Sequence, residues 1–188
     1  MMVREDDNGV MSPLPYLPPL SPRLAAVVHA LPLRPGMRVL EIGCGPGAAA
    51  RAVLARLGGT GHVLAIDRSA KAVAQAVAGS GAELATGRLV YRQVAAEALV
   101  LDAGEPRYDL AFAIRVGALD GRHPEAGRLA LQRIAQALVP GGRLFIDGGS
   151  PLREVDLPRL STPPGAPPRR APGTGLRASS AGRPPCAR

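Results

Sequence analysis

The chain has 188 residues, of which 46% are hydrophobic and 3% aromatic, and its formal net charge is +8. This length and composition predict one globular domain and exclude disorder throughout the chain. The charge does not indicate a nucleic-acid partner, because residues 151–188 carry +5 of it, whereas nucleic-acid surfaces cluster basic and aromatic residues on one element.

The cysteines and the N-terminus narrow the class of protein further. Cys44 and Cys186 are too few for a disulfide scaffold and form no CxxC pattern, so no metal site is expected. The acidic residues 1–8 are not followed by an apolar segment, and no run reaches the roughly 18 apolar residues of a membrane-spanning helix. We therefore expect a cytoplasmic protein without a membrane partner.

Residues 1–20 form an irregular lead-in with four prolines in its second half, and Ser21-Pro22 then predicts the start of a short helix over 23–30. Strands and helices alternate after that point. Strands are predicted over 37–42, 62–67, 88–94, 108–116 and 143–147, and helices over 46–58, 70–78 and from Pro124 to the Pro140-Gly141-Gly142 stop. Such alternation indicates βα units, right-handed crossovers and a mainly parallel sheet of about five strands.

The composition changes after Ser150. Residues 161–188 are rich in Pro, Gly and Arg and have no periodicity, so we expect a disordered tail over 151–188 and a folded domain over 21–150. On this interpretation the fifth strand is an uncovered edge, through which the chain could self-associate.

The strongest motif is VLEIGCGPG over residues 39–47, where a strand runs through glycines into a helix. Gly43 permits a tight turn, Gly45 lets a ligand approach the backbone, and Gly47 allows close packing at the helix start. Asp67 ends the second strand, close to the spacing at which an acidic residue binds a ribose diol. An ordinary helix-capping role for Asp67 stays open.

Four blocks, VLEIGCGPG, HVLAIDRS, YDLAFAIRV and ALVPGGRLFI, resemble in order and spacing the motifs of class I S-adenosylmethionine-dependent methyltransferases. The resemblance covers residues 22–150 and implies a Rossmann-like three-layer sandwich with strand order 3-2-1-4-5 and S-adenosylmethionine as cofactor. An NAD(P)-binding oxidoreductase is the weaker alternative, because the glycine spacing also fits GxGxxA but no Tyr-x-x-x-Lys pair is present.

Carried over by position, the resemblance implies a set of cofactor-binding residues with one departure. Glu41 and the three loop glycines would hold the methionine end, Asp67 the ribose, and Arg68 the adenine. Arg115 would face the sulfonium or the substrate, and Ala96-Glu97 would meet the adenine edge. Ala95 departs from the Asp or Asn that is usual in the family. The residues so assigned are Glu41, Gly43, Gly45, Gly47, Asp67, Arg68, Ala96, Glu97 and Arg115.

The segment after strand four, residues 115–127, is where a catalytic base is expected, since ligands bind outside the C-terminal ends of parallel strands. His123 and Asp120 are the candidates, although Asp-Gly and His-Pro also occur in ordinary turns and helix starts. Strand four is not followed by the family's (N/D)PP(Y/F) signature of DNA-adenine or glutamine methylation, nor by the Pro-Cys signature of cytosine methylation, so a small-molecule acceptor is the expectation. Because the family's last two strands are not evident, a non-catalytic or truncated cofactor-binding module is the alternative to an enzyme.

Overall fold

The computed structural model describes residues 20–158 and, as backbone, two short N-terminal strands. Val3–Glu5 pairs antiparallel with Met11–Pro13, whereas the sequence predicted an irregular lead-in. The other residues before 20, and the part of the predicted tail from 159 onwards with its Cys186, lie outside the described residues.

One six-stranded sheet organises residues 20–158. In the order β3-β2-β1-β4-β5, all neighbouring strands are parallel, which confirms the predicted sheet and its strand order. A sixth strand, β6, follows β5 in the sheet and runs antiparallel to it. The strands are β1 (Arg38–Ile42), β2 (His62–Asp67), β3 (Leu89–Gln93), β4 (Tyr108–Ala113), β5 (Leu138–Asp147) and β6 (Leu152–Val155).

Helices cover both faces of the sheet and make the three predicted layers. Residues of β1 alternate between the faces: Val39 packs with α1 and α2, whereas Leu40 packs with α5. This alternation buries both faces, so the strand sequences are almost continuously apolar. The helices are α1 (Pro22–Ala30), α2 (Ala48–Arg56), α3 (Ala70–Ala78), α4 (Gly81–Ala85) and α5 (Pro124–Ala137).

Strand β6 lies in residues that the sequence analysis assigned to the tail, so the expectation that strand five is an uncovered edge was wrong. Leu152 packs on one core cluster and Val155 on the other. Glu154 accepts two hydrogen bonds from the Arg143 guanidinium, at 2.8 and 2.5 Å. A four-residue strand flanked by prolines is too short for its pattern to be detected in the sequence. The edge of the sheet is therefore β6 rather than β5.

Two element ends differ from the predicted ones by more than two residues. Strand β4 ends at Ala113, three residues early, because Arg115 takes a left-handed backbone conformation. Strand β5 begins at Leu138, directly after α5, with an irregular register beside Tyr108. Within residues 20–158, no helix has the length and apolarity needed to cross a membrane.

Candidate cofactor and acceptor site

The glycine loop joins β1 to α2 at the C-terminal edge of the sheet. Gly43, Gly45 and Gly47 all have positive φ, between 52° and 77°. A Cβ on Gly47 would overlap the Tyr91 hydroxyl and lie 3.0 Å from the Ala76 Cβ, whereas one on Gly45 would meet open space. Gly47 is therefore required for internal packing, and Gly45 leaves room for a ligand against the backbone.

Asp67 ends β2 beside this loop and is tied to it. Its Oδ2 accepts the backbone N–H of Gly45 at 2.9 Å, and its Oδ1 accepts that of Ser69 at 2.8 Å. These two hydrogen bonds are compatible with a ligand role for Asp67, because each carboxylate oxygen has a second lone pair. Ser69, and not Asp67, caps helix α3 through its hydroxyl.

Glu41 is buried under the loop with 3% of its surface exposed, and its Oε2 has no hydrogen-bond partner among the described residues. Burial is the main reason why the pKa of the Glu41 carboxyl is raised to about 8. A hydrogen bond from the Ala50 backbone lowers this pKa, whereas the nearby Asp67 carboxylate raises it. A buried unsatisfied carboxyl oxygen is costly in a folded protein. An incoming cationic or hydrogen-bond-donating group would relieve that cost.

A cavity of about 570 Å³ opens beside these residues at the ends of β1, β2 and β4. Its volume lies in the range of small-molecule sites. We call it the larger cavity. Most of the predicted cofactor residues border it: Gly43, Asp67, Arg68, Ala96, Glu97 and Arg115, with Ala95 and His123. Glu41, Gly45 and Gly47 are not on its wall, and Glu41 and Gly47 are buried.

A second cavity of about 450 Å³ lies between the N-terminus of α5 and the β5–β6 pair. It shares Ala118 and His123 with the larger cavity, so His123 borders both spaces. Arg128 and Arg153 add positive charge to its wall. Arg153 lies on β6, a strand that was not predicted from the sequence. For that reason the sequence around Arg153 did not assign it to a site.

The two predicted catalytic residues lie close in the chain but are engaged differently. Asp120 accepts the Arg122 backbone N–H at 3.0 Å and its Nε–H at 2.6 Å, and these bonds hold the pKa of Asp120 below its ordinary value. His123 is an exposed residue immediately before α5, and its backbone carbonyl accepts the Gly127 N–H. Asp120 is therefore paired with Arg122 rather than with His123.

A hydrogen-bonded brace behind the glycine loop was missed by the sequence analysis. Ser80, which is fully buried, lies 2.9 Å from the Tyr91 hydroxyl and accepts from Arg51 at 3.0 Å. Arg51 also donates to the Pro46 carbonyl. The brace links α2, α4 and β3, which are distant in the sequence, so only the folded arrangement reveals it.

Comparisons with known proteins agree with this arrangement. Residues 39–142, more than half of the chain, match a family model described as a methyltransferase domain. The chain belongs to this methyltransferase family. The matched segment contains the glycine loop, Asp67, the 95–97 turn and the loop after β4, which are the elements that border the larger cavity.

Individual relatives support the same assignment. A protein-L-isoaspartate O-methyltransferase of Methylorubrum populi is 39% identical over 130 residues, which are 68% of this chain and 52% of the relative. A methyltransferase from Thiobacillus denitrificans, solved with S-adenosyl-L-homocysteine, is 26% identical with a TM-score of 0.53, over 67% of this chain and 48% of that one. TrmN from Thermus thermophilus is 27% identical with a TM-score of 0.51, over 65% and 35%. The chain spans about half the length of the curated relatives it matches.

The residues present fit S-adenosylmethionine, the cofactor of this domain. The unsatisfied Glu41 oxygen provides an acceptor for a cationic amino group, and the open face of Gly45 leaves room for close approach. Asp67, at the end of β2, provides a carboxylate on the cavity wall that can accept hydrogen bonds from a ribose. The larger cavity, which Gly43 and Asp67 border, has the volume expected for a cofactor of this size.

Proposed function

We propose that the protein transfers a methyl group from S-adenosylmethionine to a small-molecule acceptor that occupies the second cavity. When bound, the cofactor supplies a methyl group activated by a sulfonium. The observation that carries the proposal is that the two cavities adjoin, with Ala118 and His123 in the walls of both. One space holds the cofactor and the adjoining space holds the acceptor, so that their reacting atoms meet at this junction.

The protein's own contribution is mainly positioning. Asp67 and the glycine loop fix the cofactor, and the loop after β4, through Ala118 and His123, lies between it and the acceptor. Holding two reactants in a productive orientation can lower a barrier by about 7–11 kcal/mol. A base is required in addition only when the acceptor atom must lose a proton, and His123, in the walls of both cavities, is our candidate for that role.

Cofactor binding is tested by titration calorimetry with S-adenosylmethionine and S-adenosylhomocysteine. We expect micromolar binding that Asp67→Ala weakens tenfold or more, about 1.4 kcal/mol. The matched control is Asp102→Ala, which removes a carboxylate that pairs with Arg92 and is not on the wall of the larger cavity. Equal affinities for the wild type and Asp67→Ala would remove Asp67 from the site, and no binding by folded wild-type protein would remove the proposed function.

A second acceptor class follows from the Methylorubrum populi relative, whose name states methylation of L-isoaspartate in proteins. In that case the acceptor oxygen belongs to a carboxylate, which is already ionised at neutral pH and needs no base. Arg128 and Arg153 on the wall of the second cavity would suit such an acceptor.

The substitution His123→Gln distinguishes the two acceptor classes. With an acceptor that must be deprotonated, we expect kcat to fall by roughly 10²–10⁴-fold at unchanged cofactor affinity. With an isoaspartyl peptide, we expect kcat to change by less than about threefold. Methyl transfer is measured with labelled cofactor on a panel of hydroxylated small molecules and on an isoaspartyl peptide, with His29→Gln as the control on α1.

A further inference from the structure

The turn after β4 contains an unfavourable backbone conformation. Among the described residues, Arg115 is the one non-glycine residue with positive φ, at 57°. A residue with a Cβ enters this region only where its surroundings hold it there. The side chain of Arg115 is exposed, so packing of the side chain does not supply that restraint.

Asp147, at the end of β5, holds the turn through hydrogen bonds. Its Oδ1 accepts the backbone N–H of Arg115 at 3.0 Å. Its Oδ2 accepts from the Arg23 guanidinium of α1, also at 3.0 Å. The Asp147 side chain is 21% exposed, whereas that of Arg23 is 65% exposed. Both hydrogen bonds are exposed to solvent, but the bond to Arg115 restrains the turn directly, whereas Arg23 acts only through Asp147.

The restrained turn forms part of the wall of the larger cavity. Arg115, Val116 and Gly117 border it in succession. Val116 lies against the glycine loop, because a Cβ on Gly43 would be 2.6 Å from its Cγ2. The conformation of Arg115 thus sets where Val116 meets Gly43 and where the wall of the cavity stands.

We propose that Asp147 is a positioning residue for the cofactor site: by accepting the Arg115 N–H, it keeps the turn after β4 left-handed and Val116 against Gly43. Through Arg23, the same carboxylate links α1 to this turn. The consequence for cofactor affinity rests on the proposed function, whereas the consequence for the turn itself does not.

The experiment uses Arg115→Ala and Arg115→Gly as a matched pair. Both lack the guanidinium, and they differ in the cost of positive φ, which glycine adopts freely. Asp147→Ala is introduced into each, and binding of S-adenosylhomocysteine is measured by calorimetry. We expect Asp147→Ala to weaken binding fivefold or more in the Arg115→Ala protein and less than twofold in the Arg115→Gly protein. An equal loss in both would overturn the proposal.

Amide hydrogen exchange provides a second measurement that needs no cofactor. We expect Asp147→Ala in the otherwise wild-type chain to accelerate exchange of the Arg115 amide tenfold or more, with core amides of β1 unchanged. Asp147→Asn, which keeps an acceptor oxygen, should preserve both protection and affinity, and Arg23→Ala should have the smaller effect. Unchanged protection of the Arg115 amide in Asp147→Ala would overturn the proposal whether or not the wild type binds cofactor. Failure of the wild type to bind cofactor would count against the proposed function alone.

Discussion

Gly47→Ala is expected to lower the free energy of unfolding by about 3 kcal/mol or more, the largest effect of any single methyl group added to the glycine loop. The φ of Gly47 is +77°, where a Cβ costs roughly 1–2 kcal/mol. The same Cβ overlaps the Tyr91 hydroxyl, and overpacking of this kind adds about 1–3 kcal/mol. Tyr91 cannot move away freely, because its hydroxyl is hydrogen-bonded to buried Ser80. Urea denaturation at neutral pH measures the change.

Gly45→Ala is the control, because it has a similar backbone cost but adds its methyl group to open space. We expect it to cost about 1–2 kcal/mol of stability. It should also weaken cofactor binding, because the added methyl group takes up the space left for a ligand at Gly45. Tyr91→Phe in the Gly47→Ala protein removes the overlapping hydroxyl and should recover part of the lost stability. Equal denaturation midpoints for the two alanine variants would contradict the packing role assigned to Gly47.

The central part of the fold was predictable because its signals are local. Each parallel strand is a short apolar run, and each helix begins or ends at a proline, a glycine or a capping residue such as Ser69. The glycine loop is also local, since a strand, a turn and a helix N-terminus follow one another directly. These features located Asp67 and the cavity at the ends of the strands.

The remaining features depend on contacts between distant residues. Strand β6 is recognisable only from Leu152 and Val155 packing on opposite faces of the sheet and from its pairing with β5. The left-handed turn at Arg115 depends on Asp147, 32 residues later. No periodicity in the sequence reports such a pairing. The roles of the individual site residues therefore stay predictions, which the experiments above address.

The buried carboxyl of Glu41 leads to the second large effect, a proton released when the cofactor binds. With a pKa of about 8, Glu41 is mostly protonated at pH 7 in the free protein. A cationic amino group placed beside it favours the ionised form, so binding expels the proton. We expect the dissociation constant to fall as pH rises from 6 to 8, by up to about tenfold per pH unit, and to level off above pH 8. The heat of binding at pH 7 should vary with the ionisation enthalpy of the buffer.

Glu41→Gln tests both the proton release and its consequence for stability. The variant should bind more weakly, with no dependence on buffer and little on pH between 6 and 8. The folded pKa of Glu41 is above its value of 4.5 in the unfolded chain, so the folded state holds an extra proton in that interval. Its contribution to the free energy of unfolding is therefore complete below pH 4.5 and is lost as pH rises to 8.

It follows that Glu41→Gln and the wild type should unfold nearly alike near pH 4.5, whereas at pH 8 the variant should be more stable by about 4 kcal/mol. Other carboxylates, such as Glu154 beside Arg143, have lowered pKa values and shift stability in the opposite direction, but they are common to both proteins and cancel in the difference. A difference that does not grow with pH would mean that Glu41 is ionised in the free protein. The cofactor's amino group would then meet a charge already present, and the site would bind without releasing a proton.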